Sequence, residues 1–313
     1  MTISSTAPQG AGRFAPSPSG DLHVGNLRTA LLAWLFARST GRSFIVRMED
    51  LDRVQPGAAA RQLADLRSIG LDWDGPVVYQ STRTDRYDAA IARLTARGLT
   101  YECFCTRREI REAASAPHPG DGSAPAADGS YPGTCRDLQP EEIRERRSTG
   151  RPSALRLRAG VDRWTVDDEL FGSFTGVVDD VVLRRNDGVA AYNLAVVVDD
   201  AAQAVDQVVR GDDLLSSAPR QAYLGSLLGF AAPCYAHVPL ALNARGQRLA
   251  KRDGAVTLAD LAALGTDPAQ VLSIIAGSLA LTGPGENVTP ALLLQRFDPT
   301  ALPREPWIVE PPP

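Results

Sequence analysis

An apolar helix set between two strand-like runs constrains this chain more than any other feature. Leu27–Arg38 carries apolar residues at helical spacing and contains no glycine or proline, so a buried helix is predicted there. Ser43–Met48, with Phe44, Ile45 and Val46, reads as a short buried strand, and another strand is expected just before Pro16. Strand, helix and strand in this order form a βαβ unit, which implies a parallel sheet and an α/β fold class.

The remaining pattern extends that core. Helices are predicted over Ala58–Ile69, Thr84–Arg97 and Pro219–Leu228, the last two running into Gly98 and Gly229. Ala154–Arg158, Gly176–Leu183 and Ala190–Val198 alternate or run apolar with β-branched residues and read as strands, with Asn186-Asp-Gly188 as a tight turn. Residues 113–129 are rich in Ala, Pro, Gly, Ser and Asp and are expected to form a mobile surface loop. Beyond Leu258 the chain reads as helical. The expected division is 1–98 and 186–245 as two halves of one α/β domain, 99–185 as an insertion, and 246–313 as a loop followed by a small helical tail.

Bulk properties exclude several classes. The longest apolar stretch, Val271–Leu281, is too short to span a bilayer, so no membrane association is expected. Met1–Gly12 has neither a basic start nor an apolar core, which makes the cytoplasm the expected compartment and a monomer the expected state. A net charge of −4 argues against a broad nonspecific nucleic-acid surface but allows a local basic face. The densest basic run, Arg136 to Arg163, has Asp137, Glu141, Glu142 and Glu145 interleaved with it; it reads equally as a solvated, ion-paired helix or as an RNA contact.

Two segments carry the chemistry. Arg13-Phe-Ala-Pro-Ser-Pro-Ser-Gly-Asp-Leu-His-Val-Gly-Asn26 is a Gly/Pro-punctuated loop feeding the N-terminus of the first helix, where free N–H groups and the helix dipole suit phosphate. Within it His23 can donate to phosphate oxygens, Gly25 would let a flat base lie on the backbone, and Asn26 adds an uncharged donor. The second segment is Gly246-Gln-Arg-Leu-Ala-Lys-Arg-Asp253. Of 33 basic residues only Lys251 is a lysine. A compact, flexible ammonium suits a phosphate that moves during reaction better than a planar fork does.

Cys103, Cys105 and Cys135 cluster in one region of a chain with four cysteines. A Cys-x-Cys knuckle with a later cysteine supplies three thiolates, whereas structural zinc takes four ligands. From the residues alone the fourth position stays open, with His118 as a candidate.

The motif Pro-Ser-Gly-x-Leu-His-Val-Gly-Asn resembles the HIGH signature of class I aminoacyl-tRNA synthetases, and Arg248-Leu-Ala-Lys-Arg252 resembles their KMSKS loop. Arg13–Gly20, Arg47-Met-Glu-Asp-Leu-Asp-Arg53, Gln80-Ser81, Tyr101-Glu-Cys-Phe-Cys-Thr106 and Ala236-His-Val-Pro-Leu240 are similar to the glutamyl and glutaminyl branch. The matches run in family order over most of residues 12–265. The resemblance implies a Rossmann-type catalytic domain, a zinc-bearing insertion and ATP-dependent activation of L-glutamate. It implies that Arg13, Ala15, Ser17, Glu49, Tyr192 and Arg210 bind glutamate, and that His23, Gly25, Asn26 and Lys251 bind ATP, which is used with Mg²⁺. His23 and Lys251 would be the catalytic pair. It also selects Tyr131 as the fourth ligand of a structural Zn²⁺ beside Cys103, Cys105 and Cys135.

Two departures refine this. Arg248, Ala250 and Arg252 replace a lysine and two serines of the family loop. Only about sixty residues follow the lysine motif, too few for a separate anticodon-binding domain. The shortened tail and the tyrosine ligand resemble the glutamyl-queuosine branch. That resemblance implies transfer of glutamate to the queuosine base in the anticodon of tRNA(Asp), with adenylate formation independent of tRNA.

Overall fold

The structure is a computed structural model, and it describes residues 10–110, 131–249, 256–283 and 285–309. The βαβ unit stands where the sequence puts it: β1 (Ala11–Phe14), α1 (Val24–Ser39) and β2 (Ser43–Met48), with β1 and β2 parallel. They belong to a seven-stranded sheet with β3 (Val78–Tyr79), β6 (Arg163–Asp168), β7 (Gly172–Val177), β9 (Val205–Gly211) and β10 (Cys234–Val238). The order is β3-β2-β1-β9-β10-β6-β7. Neighbours pair in parallel except at the β6–β7 hairpin on one edge. The α/β parallel-sheet expectation is met.

α1 is apolar on nearly every face because it is covered on nearly every face. Leu27, Leu31, Leu35 and Phe36 are buried between the sheet and the C-terminal helices α7 (Leu258–Ala263), α8 (Pro268–Ser278) and α9 (Pro290–Arg296). Each such leucine contributes about 1.5–3 kcal/mol by burial. The described part of the tail includes β12 (Trp307–Ile308), paired with β11 (Ala241–Leu242), so the helical reading of this region misses a strand. The helices α2 (Ala58–Ser68), α3 (Thr84–Ala96) and α6 (Ala218–Leu227) fall within a residue of their predicted bounds.

Residues 99–185 supply two things. β4 (Thr100–Cys103), β5 (Ala154–Leu157) and β8 (Val182–Arg184) form a separate antiparallel sheet beside α4 (Pro140–Ser148), while β6 and β7 return to the main sheet. The predicted strand Gly176–Leu183 is therefore broken. β7 ends at Val177, and the turn that follows buries Val178 and Val181 while Asp180 accepts from Ala159 N at 2.8 Å and from Tyr101 Oη at 2.6 Å.

The predicted strand Ala190–Val198 is instead the start of α5 (Tyr192–Ala202). The Asn186–Gly188 turn is present, with Arg185 N donating to Val189 O, but strand pairing beyond it stops at a bridge from Arg184 to Ala190. Tertiary packing overrides the β-branched run. As a helix it buries Leu194, Ala195 and Val198 in a core shared with α3 and α6, and it delivers Asp199 and Asp200 to buried arginines.

The basic run is largely ion-paired. Arg136 meets Asp180, Arg144 meets Glu141, Arg147 meets Glu102, Arg151 meets Glu109 and Arg158 meets Asp137. The predicted loop at 113–129, with His118, lies outside the described residues. Among the described residues, no helix is long and apolar enough to cross a membrane.

Candidate active site

β1 and β9 are neighbours at the centre of the sheet, and their connections leave in opposite directions, toward β2 and toward β10. Such a switch point opens a crevice beyond the carboxyl ends of the strands. Arg13 closes on it from β1, Glu49 follows β2, Arg210 sits near the end of β9, and Tyr192 begins α5. Arg13 and Glu49 are joined through Asp200 and Arg47, and Glu49 and Tyr192 line one cavity.

The two arginines are held from behind. Arg13, 4 % exposed, donates from Nη1 to Val209 O at 3.1 Å, with Nε 3.4 Å from Asp200 Oδ1. Arg210, 5 % exposed, donates from Nε to His237 Nε2 at 3.0 Å, from Nη1 to Gln221 Oε1 at 2.7 Å and from Nη2 to Leu214 O at 3.3 Å. Glu49 N donates to Pro16 O at 2.9 Å, fixing the Ala15–Ser17 loop beside the end of β2.

An ion network centred on the fully buried Arg47 and Asp199 adjoins these residues. Arg47 Nη1 is 2.8 Å from Asp200 Oδ1, its Nη2 is 3.5 Å from Glu49 Oε1, and its Nε is 3.9 Å from Asp199 Oδ2. Asp199 accepts from Arg83 Nε at 2.5 Å, Tyr87 Oη at 2.7 Å and Gln80 Nε2 at 2.9 Å. Burial alone would lower the Arg47 pKa, but Asp200, Glu49 and Asp199 outweigh it and raise it. Burial raises the Glu49 carboxyl, and Arg47 and Arg13 restrain that rise.

Ser17, Glu49 and Tyr192 line a cavity of about 920 Å³ together with Cys103, Cys105, Arg107, Arg151, Arg156 and Arg185. Arg13, Ala15 and Arg210 are not among the residues that line it. The nucleotide residues form a second group at the start of α1. His23 is its N-cap: Nδ1 accepts from Asn26 N at 3.2 Å while Asn26 Oδ1 accepts from His23 N at 3.1 Å. This places the ring proton on Nε2, and burial lowers the His23 pKa to about 4, so it donates as a neutral imidazole. Gly25 is buried, and a Cβ there would stand 2.8 Å from Ala241 Cβ.

Lys251 lies outside the described residues, but its flanks are described. On one side Arg248 pairs with Asp213, just after β9. On the other, Val24 N donates to Val256 O at 2.8 Å and His23 bridges Thr257. Both ends of the lysine segment are thereby tied to the switch point.

Cys103, Cys105 and Cys135 place their sulfurs within 4.8 Å of one another. Tyr131 Oη is 3.3 Å from Cys103 Sγ and 3.8 Å from Cys105 Sγ, and it accepts from Cys135 N at 2.8 Å. Three soft donors and one hard oxygen converging in this way suit zinc, so the residues fit the group that the resemblance implied. Hydrogen bonding from Cys135 pulls the Cys103 thiol well below its ordinary range, which favours the ligating thiolate.

Sequence reading gave no role to Arg47, Asp199, Asp200, Gln221 or the Asp168–His237 pair. One signal was available: Asp199 and Asp200 follow an apolar run directly, and adjacent acids entering a core require buried cations.

Residues 11–285 match the model for tRNA synthetases class I (E and Q), catalytic domain. The chain is 66 % identical over 300 residues to glutamyl-Q tRNA(Asp) synthetase of Nocardia farcinica, covering 96 % of this chain and 93 % of that one. It is 52 % identical to the protein of the same name from Cutibacterium acnes, covering 93 % and 85 %. Among solved structures, a glutamate tRNA ligase from Elizabethkingia meningosepticum in complex with its amino acid superposes with a TM-score of 0.79 at 28 % identity, covering 95 % of this chain and 66 % of that one. With this fold, this crevice and these relatives, the chain belongs to the class I aminoacyl-tRNA synthetases, ligase-type enzymes, in the glutamyl-Q tRNA(Asp) synthetase family of the glutamate and glutamine branch.

Proposed function

We propose that the chain activates L-glutamate with ATP, without RNA present, and transfers the glutamyl group to the queuosine base in the anticodon of tRNA(Asp). The observation that carries this reading is that the chain following the lysine segment is tied to the His23 turn through Val256 and Thr257, while Ser17, Glu49 and Tyr192 line one cavity.

In this reading the guanidinium groups of Arg13 and Arg210 hold the carboxylates of glutamate, and Glu49 and Tyr192 receive its ammonium. Ala15 and Ser17 contribute backbone and hydroxyl contacts. A carboxylate oxygen of glutamate then attacks the α-phosphorus of ATP and pyrophosphate departs. ATP enters as its Mg²⁺ complex. His23, Gly25 and Asn26 hold the nucleotide at the start of α1, and Lys251 neutralises charge building toward the leaving pyrophosphate. The chemistry rests on positioning and charge, so the enzyme needs no covalent nucleophile.

Zn²⁺ on Cys103, Cys105, Tyr131 and Cys135 would pin the insertion and so shape one wall of the cavity. The insertion spans 99–185, between catalytic halves 1–98 and 186–245, and 246–313 carries the lysine loop and tail. The enzyme acts in the cytoplasm as a monomer.

The test has two stages. Glutamate-dependent exchange of labelled pyrophosphate into ATP should proceed with no RNA added; no exchange would leave a binding protein only. Labelled glutamate should then pass to queuosine-containing tRNA(Asp) even after its 3′-terminal adenosine is removed, and not to tRNA(Asp) lacking queuosine. Loss of acceptance on removing the 3′ adenosine would instead identify a synthetase that charges the tRNA end.

A further inference from the structure

Behind the glutamate floor runs a buried polar chain that the reaction scheme leaves unused. Asp168 ends β6, His237 lies on β10, and Arg210 stands opposite His237 in the β9–β10 ladder. Asp168 is 4 % exposed, His237 0 %, Arg210 5 % and Gln221 3 %.

The hydrogen bonds fix every proton in this chain. Asp168 Oδ1 accepts from Leu170 N at 2.9 Å and Phe171 N at 3.0 Å, and its Oδ2 accepts from His237 N at 3.1 Å. Oδ2 also lies 2.6 Å from His237 Nδ1. A carboxylate with these partners only accepts, so the imidazole proton resides on Nδ1. That leaves the Nε2 lone pair facing Arg210 Nε at 3.0 Å, and an arginine Nε can only donate. The opposite tautomer, or an imidazolium, would set two N–H groups against each other. Burial and the nearby Arg210 lower the His237 pKa and so keep the ring neutral. Tyr235 stacks on one face of the imidazole with ring centres 5.7 Å apart.

We propose that Asp168 and His237 are positioning residues, which fix one imidazole tautomer and through it the rotation of the Arg210 guanidinium. His237 holds Nε, Gln221 and Leu214 each take one terminal N–H, and two of the five N–H groups are left for a carboxylate of the amino-acid substrate. The inference rests on Arg210 being a glutamate ligand, as argued above.

The chain has three histidines, which makes the tautomer directly measurable. Long-range ¹H–¹⁵N spectra at neutral pH should show His237 protonated on Nδ1 and His23 protonated on Nε2. An Nε2-protonated or doubly protonated His237 overturns the proposal without any substitution. Two variants then separate positioning from packing. His237→Asn keeps the donor to Asp168 but offers Arg210 no acceptor, whereas His237→Gln places an amide oxygen where Nε2 was. In pyrophosphate exchange, His237→Asn should raise the KM for glutamate about 10- to 100-fold, the range for losing one hydrogen bond to a charged group. The KM for ATP should stay constant, and His237→Gln should remain within a few-fold of the parent. Equal effects of the two variants on glutamate KM would sink the relay. Arg210→Ala tells the two readings apart: an unchanged glutamate KM there removes Arg210 from the site. A raised one, with His237→Asn silent, removes only the relay.

Discussion

The guanidinium carbon of Arg156 sits 3.6 Å from the centre of the Tyr131 ring. The contact joins the four-donor cluster to the cavity wall, which Arg156 and Cys103 both line. Three thiolates and a phenolate around Zn²⁺ would leave a net negative charge inside the fold. Arg156, 6 % exposed, is the cation stacked on it. Arg156→Met keeps the bulk and removes the charge. It is expected to weaken zinc about 10- to 100-fold, as changes to groups just outside a ligand set do. Competition with a chromogenic chelator reads this directly, and an unchanged affinity would reduce the stacking to packing.

The Asp199 carboxylate is gripped by Arg83, Tyr87 and Gln80, with Arg47 nearby. Removing one partner of a buried charge cluster leaves the others uncompensated. Asp199→Ala is therefore expected to cost about 3–5 kcal/mol, whereas Tyr87→Phe, which removes only the hydroxyl donated to that carboxylate, should cost about 1.5–3 kcal/mol. Urea unfolding distinguishes them; similar midpoints for the two variants would mean that the network is hydrated rather than closed.

This network also marks where sequence reading fell short. α1 and β2 were legible because burial on all sides leaves an unbroken apolar pattern. α5 was not, because Val196, Val197 and Val198 favour a strand locally while the helix is dictated by partners far away in sequence, Arg13 and Arg47 among them. The site shows the same divide. Arg13 and Glu49 stand in matched motifs, and Tyr192 and Arg210 could be named from the family resemblance. Asp168 and His237 acquire meaning only when β6, β9 and β10 lie side by side.

Gly25 illustrates a residue whose type was legible while the constraint on it was not. An added methyl would stand 2.8 Å from Ala241 Cβ and 3.0 Å from His23 Nδ1, so β11 and the cap both oppose it. Gly25→Ala is expected to destabilise the fold by about 1–3 kcal/mol, the range for an overpacked core. It should also raise the KM for ATP by displacing His23. A stable variant with unchanged KM would show that the first turn of α1 has room to shift.

His23 gives the fold a signature at mildly acidic pH. Its pKa is near 4 in the folded chain, against 6.5 ordinarily, because burial penalises the charged ring. Between those values the unfolded chain takes up a proton that the folded chain refuses. Stability should thus fall as pH drops through this window, by about 1.4 kcal/mol per unit, and level off below pH 4. Glu49, raised by burial, works in the opposite sense, so the quantity to measure is the difference between the parent and His23→Gln. That difference should become independent of pH above about pH 6.5, the ordinary histidine value; a difference independent of pH throughout would assign His23 a purely steric role.

Lys251 remains the sharpest test of the chemistry. Every other basic position in the chain is arginine, so a bare positive charge at this site would have been met by an arginine as well. What lysine adds is a compact ammonium on a flexible stem that can follow a departing pyrophosphate. On either side of Lys251, Arg248 pairs with Asp213 and Val256 accepts from Val24 N, so both flanks of the lysine are held near the start of α1 and the end of β9. Lys251→Ala should slow glutamate-dependent pyrophosphate exchange about 100- to 1,000-fold, the scale for removing one group that stabilises transition-state charge, with little change in glutamate affinity. Lys251→Arg restores the charge but not the geometry, and its rate should fall between the two. If the arginine variant matched the parent, charge alone would be sufficient at this position, and the solitary lysine would carry no mechanistic information.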